Sequence, residues 1–206
     1  DRVHHWAERL GPKRRLRIGI SWQGNPAYRA DHHRSPPLSD FMPILENAGL
    51  RVIAVNPFDV DGGGVTRSII YSFTVQDEDE RPLDVDARGA LLSQTILAVR
   101  AGDASNDVLN SLVLSAGLHW READVLRAFA SYAFQVGAVP SRVSLPSALI
   151  KHPQIARILF ELFQTKFDPD LGASMEERVS ATDDIRTALR SALGSVGLLS
   201  DDRALR

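Results

Sequence analysis

The chain has 206 residues, enough for one medium-sized domain or two small ones. Its 24 lysines and arginines against 26 aspartates and glutamates give a formal charge of −2, which argues against a dedicated nucleic-acid-binding protein. It contains no cysteine, which excludes disulfides and thiolate metal sites, and no apolar run of the roughly 18 residues that a membrane span needs. With no N-terminal signal pattern either, we expect a cytoplasmic protein without membrane or nucleic-acid partners.

The first part of the chain predicts a small sheet with one helix. Apolar and polar residues alternate over residues 16–22, and a loop rich in proline and glycine follows. Ser39 is placed to cap a helix that Gly49 ends. The predicted elements are a strand at 16–22, a loop at 23–37, a helix at about 40–48, strands at 50–55 and 67–75, a glycine turn at 61–64 and an exposed acidic loop at 76–84.

Helical periodicity replaces the strand pattern from about residue 85 to the end. Glycines follow several of the apolar stripes, and Ser174 with Glu177 has the pattern of a capping box. The predicted helices are 86–99, one opening at Asn106 and Asp107, 120–136 with an apolar stripe of Val125, Leu126, Phe129, Tyr132 and Ala133, one around Pro146, 153–167, one from Ser174 to near Gly197, and a last one capped by Ser200. The fold class is therefore α+β: a small antiparallel sheet with helices at 1–84, followed by an all-α domain at 85–206.

Sequence motifs give no cofactor, metal or catalytic residue. The run Gly62–Gly64 lacks the spacing of a dinucleotide loop and precedes a strand, and no phosphate-binding P-loop occurs. His4 with His5 and His32 with His33 are adjacent in the sequence, so their side chains diverge and neither pair makes a metal site.

One stretch is richer in polar residues than packing between two helices requires. It can form a binding site, or a hydrogen-bonded corner between two helices over which Trp120 packs, and the second interpretation is favoured. The candidate structural or interaction cluster consists of Asn106, Asp107, Asn110, Trp120, Arg121, Glu122 and Arg127.

The same stretch resembles a known family. Residues 102–122 read GDASNDVLNSLVLSAGLHWRE, and residues 38–52 read LSDFMPILENAGLRV. Both are similar to the large NAD-specific glutamate dehydrogenases of bacteria, and the resemblance extends over about residues 38–206. Ser105 stands where the family has Glu, and Val108, Leu109 and Ser111 replace Gly, Phe and Arg, so the resemblance implies no role of that Glu or Arg for this chain.

This resemblance implies an ACT-like regulatory module followed by helical segments, located before the dehydrogenase core. The whole enzyme would oxidise glutamate to 2-oxoglutarate with release of ammonia and reduction of NAD. The catalytic lysine and the NAD-binding domain would come after Arg206, so this chain would be inactive alone and would hold no cofactor. Its partners would be the rest of the parent polypeptide or further copies of itself, and a small effector could bind between ACT-like modules.

Residues 6–38 resemble a different family. The segment RIGISWQGNP at 17–26 and RSPPL at 34–38 look like tetratricopeptide-linked glycosyltransferases of the O-linked N-acetylglucosamine transferase type. Two alternative functions therefore stay open: a fragment that binds a nucleotide sugar through residues 19–35, and a helical protein-interaction module without a ligand.

Overall fold

The computed structural model describes residues 17–22, 38–61, 67–77 and 85–206. These residues fall into two compact units, one running to Glu46 and from Leu50 to Ala87, the other comprising Asn47–Gly49 and Arg88–Arg206. The predicted loop at 23–37, the glycines 62–64, the acidic loop beyond Asp77 and both histidine pairs lie outside the described residues. The proposed division of the chain at residue 84 stays a prediction.

The first unit contains a three-stranded antiparallel sheet with the strand order β1-β3-β2. The strands are β1 (Arg17–Trp22), β2 (Leu50–Asp61) and β3 (Arg67–Asp77). Phe73, on the central strand, pairs with Ile18 on one side and with Val55 on the other, and its side chain is fully buried. The unit also contains a 3₁₀ turn at Leu38–Asp40 and most of helix α1 (Met42–Asn47).

Two of the strands run further than the sequence predicted. Strand β2 continues to Asp61 through Pro57, which pairs with Tyr71. Because β2 lies at the edge of the sheet, the missing amide hydrogen of a proline can be tolerated there. Strand β3 includes Gln76 and Asp77, which the sequence assigned to the acidic loop.

The second unit is helical in the part that the structure describes. Its elements are α2 (Val85–Ala101, whose first three residues belong to the first unit), a 3₁₀ turn at Val108–Ser111, α3 (Leu112–Ser115), α4 (Trp120–Gln135), α5 (Ser144–Lys151), α6 (Pro153–Phe167), a 3₁₀ turn at Pro169–Leu171, α7 (Met175–Gly194) and α8 (Leu199–Leu205). Seven of their buried apolar residues form one cluster, which consists of Leu109, Leu112, Leu118, Leu126, Leu149, Ala156 and Phe160. The predicted fold class, a small antiparallel sheet with helices followed by an all-α segment, is confirmed.

The turns between helices follow from glycine and from side-chain caps. Gly117 and Gly137 have φ values of 65° and 73°, a conformation that glycine adopts without the clash of a side chain. Ser174 accepts a hydrogen bond from the Glu177 amide, and the Glu177 carboxylate accepts one from the Ser174 amide, which confirms the predicted capping box.

Three details of the predicted helices are wrong. Ser39 lies inside the 3₁₀ turn at Leu38–Asp40, and α1 begins only at Met42, so Ser39 is not the residue directly before that helix. Helix α8 begins at Leu199 with Leu198 as its N-cap residue, so Ser200 lies inside the helix and does not cap it. On α4 the predicted apolar stripe is only partly inward: Leu126 is buried, but Phe129 and Tyr132 are 40% and 64% exposed. The small residues Ala123 and Ala130 are buried with Leu126 instead, because they let neighbouring helices come close.

Candidate functional site

Arg127 is the centre of a polar cluster between α4 and the preceding 3₁₀ turn. Its Nε and Nη2 atoms donate to the two carboxylate oxygens of Asp107, at 2.6 and 2.8 Å. Nη2 also donates to Oδ1 of Asn110 at 3.2 Å, and Nη1 donates to Asp124, three residues earlier on α4. Such bidentate pairing fixes the orientation of both groups, because two parallel N–H donors of the planar guanidinium face the two oxygens of the carboxylate. We call these four residues the Arg127 cluster.

The acceptors of the Arg127 cluster also hold the backbone. Asp107 is the N-cap of the 3₁₀ turn, where its Oδ1 accepts from the Leu109 amide at 3.0 Å. The Asn110 side chain is only 1% exposed, and its Nδ2 donates to the carbonyl oxygen of Ser105 at 2.9 Å. Both ends of this buried amide are therefore hydrogen-bonded, as a buried polar group requires.

The guanidinium of Arg127 keeps its charge in this setting. Burial by itself would lower the pKa of Arg127, but the hydrogen bond and charge of Asp107, together with those of Asp124, raise it above its ordinary value. A permanently charged group that donates to three side chains is suited to joining helices and unsuited to exchanging protons with a substrate.

The remaining predicted residues lie elsewhere. Trp120, Arg121 and Glu122 form the first turn of α4, where the Arg121 guanidinium lies 4.3 Å from the centre of the Trp120 ring. Glu122 accepts from the His119 amide at 2.9 Å and completes a capping box with that histidine. Asn106 is exposed and accepts a hydrogen bond from Asn47 at 3.0 Å. The structure therefore brings Asp107, Asn110 and Arg127 together. Of the other four predicted residues, three form the start of α4 and Asn106 contacts Asn47.

A second cluster was missed in the sequence. Asp201, on α8, is 6% exposed and lies between Lys151 and His152, where α5 meets α6. The Lys151 Nζ atom is 3.3 Å from Oδ1, and the His152 Nε2 atom is 3.4 Å from Oδ2. The Ser200 hydroxyl donates to Oδ1 at 3.4 Å. We call these four residues the Asp201 cluster. Lys151 and His152 lie about 50 residues from Asp201 in the sequence, so no local sequence pattern marks them.

The electrostatic balance of this cluster favours the ionised carboxylate. Burial would raise the pKa of Asp201, but the hydrogen bond and charge of Lys151, followed by the nearby His152 ring and Ser200 hydroxyl, hold it below its ordinary value. Beside the cluster is an open depression of about 400 Å³, whose polar lining includes Lys151, His152, Gln154 and Arg157. Arg157 pairs with Glu161 at 3.0 Å and lies 3.8 Å from Glu122.

Among the residues that the structure describes, no group of three histidine, aspartate or glutamate side chains is arranged to hold a metal ion. Within the same residues, no helix combines the length and apolar character needed to cross a bilayer.

Parts of both units match known protein families. Residues 28–88 match the model of the glutamate dehydrogenase ACT3 domain, and residues 104–169 match that of glutamate dehydrogenase helical motif 3. The first match begins ten residues earlier than the resemblance noted in the sequence and includes part of the segment that resembled glycosyltransferases. The ACT3 match agrees with the antiparallel sheet and helix of the first unit.

Several curated relatives carry the same name, NAD-specific glutamate dehydrogenase. The chain is 34% identical over 177 residues to the protein of Pseudomonas aeruginosa and 33% identical over 178 residues to that of Halomonas elongata. It is 30% identical over 178 residues to the protein of Mycobacterium tuberculosis. Each alignment covers 84–85% of this chain but only 11% of the relative. The resemblance found in the sequence is thus confirmed, and over most of its length the chain corresponds to a region of the large NAD-specific glutamate dehydrogenases.

Proposed function

We propose that this chain is a regulatory and structural segment of a large NAD-specific glutamate dehydrogenase, located before the catalytic domain. In this proposal, other parts of the polypeptide bind NAD and transfer the hydride from glutamate. The proposal is supported by the matched models, which describe an ACT3 domain and a helical motif, and by the fact that the chain spans 11% of its relatives.

The observation that carries the structural role is the Arg127 cluster. Its charged and amide groups form hydrogen bonds with one another and with the backbone, within the residues that match helical motif 3. Polar groups committed in this way stabilise one arrangement of helices, whereas a catalytic acid or base needs an exchangeable proton near a substrate. We therefore assign these residues to holding the helical motif together.

The size of the native polypeptide tests the first part of the proposal. An antibody against residues 100–136 should detect a band far larger than 22.7 kDa in extracts of the source cell. The purified 206-residue chain should form no NADH from glutamate and NAD, while the native product should. A native band at 22.7 kDa, or NADH formation by the short chain alone, would contradict the proposal.

Regulation by a small effector is the second part of the proposal. The depression beside His152 favours a site in the helical unit, because its volume lies within the range of small-molecule sites and its lining offers hydrogen-bonding groups. A panel of amino acids and 2-oxo acids should give a saturable thermal shift of the native protein. Gln154→Trp, which fills the depression, should abolish that shift, whereas Gln154→Ala should retain it. A shift that survives Gln154→Trp would locate the effector elsewhere.

A further inference from the structure

The second half of α4 and the loop after it form an exposed surface without charge. Residues 128–141 contain no lysine, arginine, aspartate or glutamate, although the chain as a whole is 24% charged. Most of these residues are exposed, including Tyr132 at 64% and Val136 at 57%. Surfaces that face water normally mix charges of both signs, so this composition is typical of an interface.

Aromatic rings extend this surface onto α6. Phe129 and Tyr132 on α4 and Val136, its C-cap residue, are spaced three and four residues apart and therefore share one side of the helix and its end. The Phe129 ring lies 5.7 Å from that of Phe163, edge to face, and Phe163 lies 5.3 Å from Phe167, which is 63% exposed. We call these five residues the aromatic face. A contiguous apolar patch on a folded domain commonly marks a site of association.

A lysine borders the aromatic face on α6. Lys166 has its Nζ atom 5.6 Å from the centre of the Phe167 ring. Among the residues that the structure describes, Lys166 forms no ion pair with a carboxylate. A surface that covers the aromatic face can therefore place a carboxylate opposite Lys166.

We propose that the aromatic face is a docking surface for another segment of a longer polypeptide, one outside residues 1–206 that presents apolar side chains bordered by carboxylates. This inference rests on the proposed function. The chain spans only 11% of its relatives, so most of a parent polypeptide of similar length would lie outside the matched region. A second copy docking face to face fits less well, since it would bring Lys166 towards the identical lysine of the other copy.

Two valines provide a matched test of whether the face is covered. Val136 on the aromatic face and Val179 on α7 are 57% and 56% exposed. The chain has no cysteine, so each of Val136→Cys and Val179→Cys gives this segment a single thiol. In the native-length product, we expect the cysteine of Val136→Cys to be alkylated at least tenfold more slowly than that of Val179→Cys. The extent of alkylation is read from the mass of the peptide that contains each cysteine. Equal rates would overturn the proposal.

A cross-link identifies what covers the face. Tyr132→p-benzoylphenylalanine keeps an aromatic ring at the centre of the face and reacts with its neighbour on illumination. A cross-linked peptide from outside residues 1–206, rich in apolar residues and containing Asp or Glu, is expected. A cross-link within residues 1–206, or none, would overturn the proposal. Failure of the proposed function is distinct, because it would appear as a native product of 22.7 kDa before any labelling.

Discussion

The helical unit contains two polar clusters that differ in range and in tightness. The Arg127 cluster joins residues at most 20 positions apart, through hydrogen bonds of 2.6–3.2 Å wherever Asp107 and Asn110 take part. The Asp201 cluster joins α8 to the α5–α6 junction across 50 positions, and its contacts measure 3.3–3.4 Å. Lys151 is also largely open to water, with a side chain that is 53% exposed, whereas that of Arg127 is 17% exposed.

This difference predicts an unequal division of stability. A charged hydrogen bond contributes more when it is short and shielded from solvent, while an exposed lysine pair contributes little. The Arg127 cluster should therefore determine whether the helical unit folds, and the Asp201 cluster should determine how firmly α8 is attached to a unit that is already folded. The four substitutions below test that ranking, beginning with the largest expected loss.

Arg127→Met should be the most destabilising of these changes. It leaves the Asp107 and Asp124 carboxylates without their cation and removes one partner of the buried Asn110 amide. We expect the free energy of unfolding to fall by about 3 kcal/mol, measured by urea denaturation. Arg121→Met on the same helix is the control, because that guanidinium only covers the Trp120 ring, and it should cost less than about 1 kcal/mol. Equal losses would mean that the Arg127 cluster has no special role.

Asn110→Leu should have the next largest effect. The leucine leaves the Ser105 carbonyl without its donor and Arg127 without one acceptor, in a position where water has almost no access. We expect a loss of about 2 kcal/mol in the same denaturation experiment. Asn106→Leu is the matched control, since Asn106 is exposed and its one recorded partner is Asn47, and it should change stability by less than about 0.5 kcal/mol. If Asn106→Leu lost as much stability as Asn110→Leu, the structural role assigned to the Arg127 cluster would be contradicted.

The fold was largely readable from local patterns. Alternation predicted the strands at residues 16–22 and 67–75, and the positions of Gly49, Gly117 and Gly137 marked where helices or turns end. The errors arose where packing against the rest of the fold determines the structure. Pro57 continues a strand because that strand is at the sheet edge, and Phe129 is exposed while Ala130 takes an inward position on the same helix. An apolar residue at helical spacing shows which face is apolar, but not whether that face is covered by the same chain.

The candidate sites show the same limit. Asp107, Asn110 and Arg127 come from two neighbouring elements of one polar stretch, so the sequence could suggest their association. The sequence could not separate them from Trp120, Arg121 and Glu122, which serve the start of α4. Asp201 was assigned only to the last helix, because nothing near it in sequence indicates that Lys151 and His152 will surround it.

Asp201→Asn should cost less than either change in the Arg127 cluster, and its cost should depend on pH. The folded state holds the pKa of Asp201 below its ordinary value, so the folded state binds this proton less readily than the unfolded chain. The contribution of Asp201 is therefore complete above the ordinary carboxyl pKa of about 4 and is lost as the pH falls further. Comparing unfolding of both proteins from pH 7 to pH 3 should show the difference shrinking below about pH 4. A difference that is constant over this range would exclude the ionised carboxylate as its cause.

Ser200→Ala should have the smallest effect, and its comparison with Ser174→Ala separates the two serines that the sequence treated alike. Ser174 satisfies a backbone amide at the start of α7, so its loss should cost about 1 kcal/mol. Ser200 caps nothing, and its 3.4 Å contact with Asp201 adds only a long hydrogen bond to a carboxylate already held by Lys151. Ser200→Ala should therefore cost less than about 0.5 kcal/mol. Since α8 has no side-chain cap, a larger loss would mean that the Ser200 hydroxyl, rather than Lys151, is the principal partner that holds Asp201 and with it the last helix.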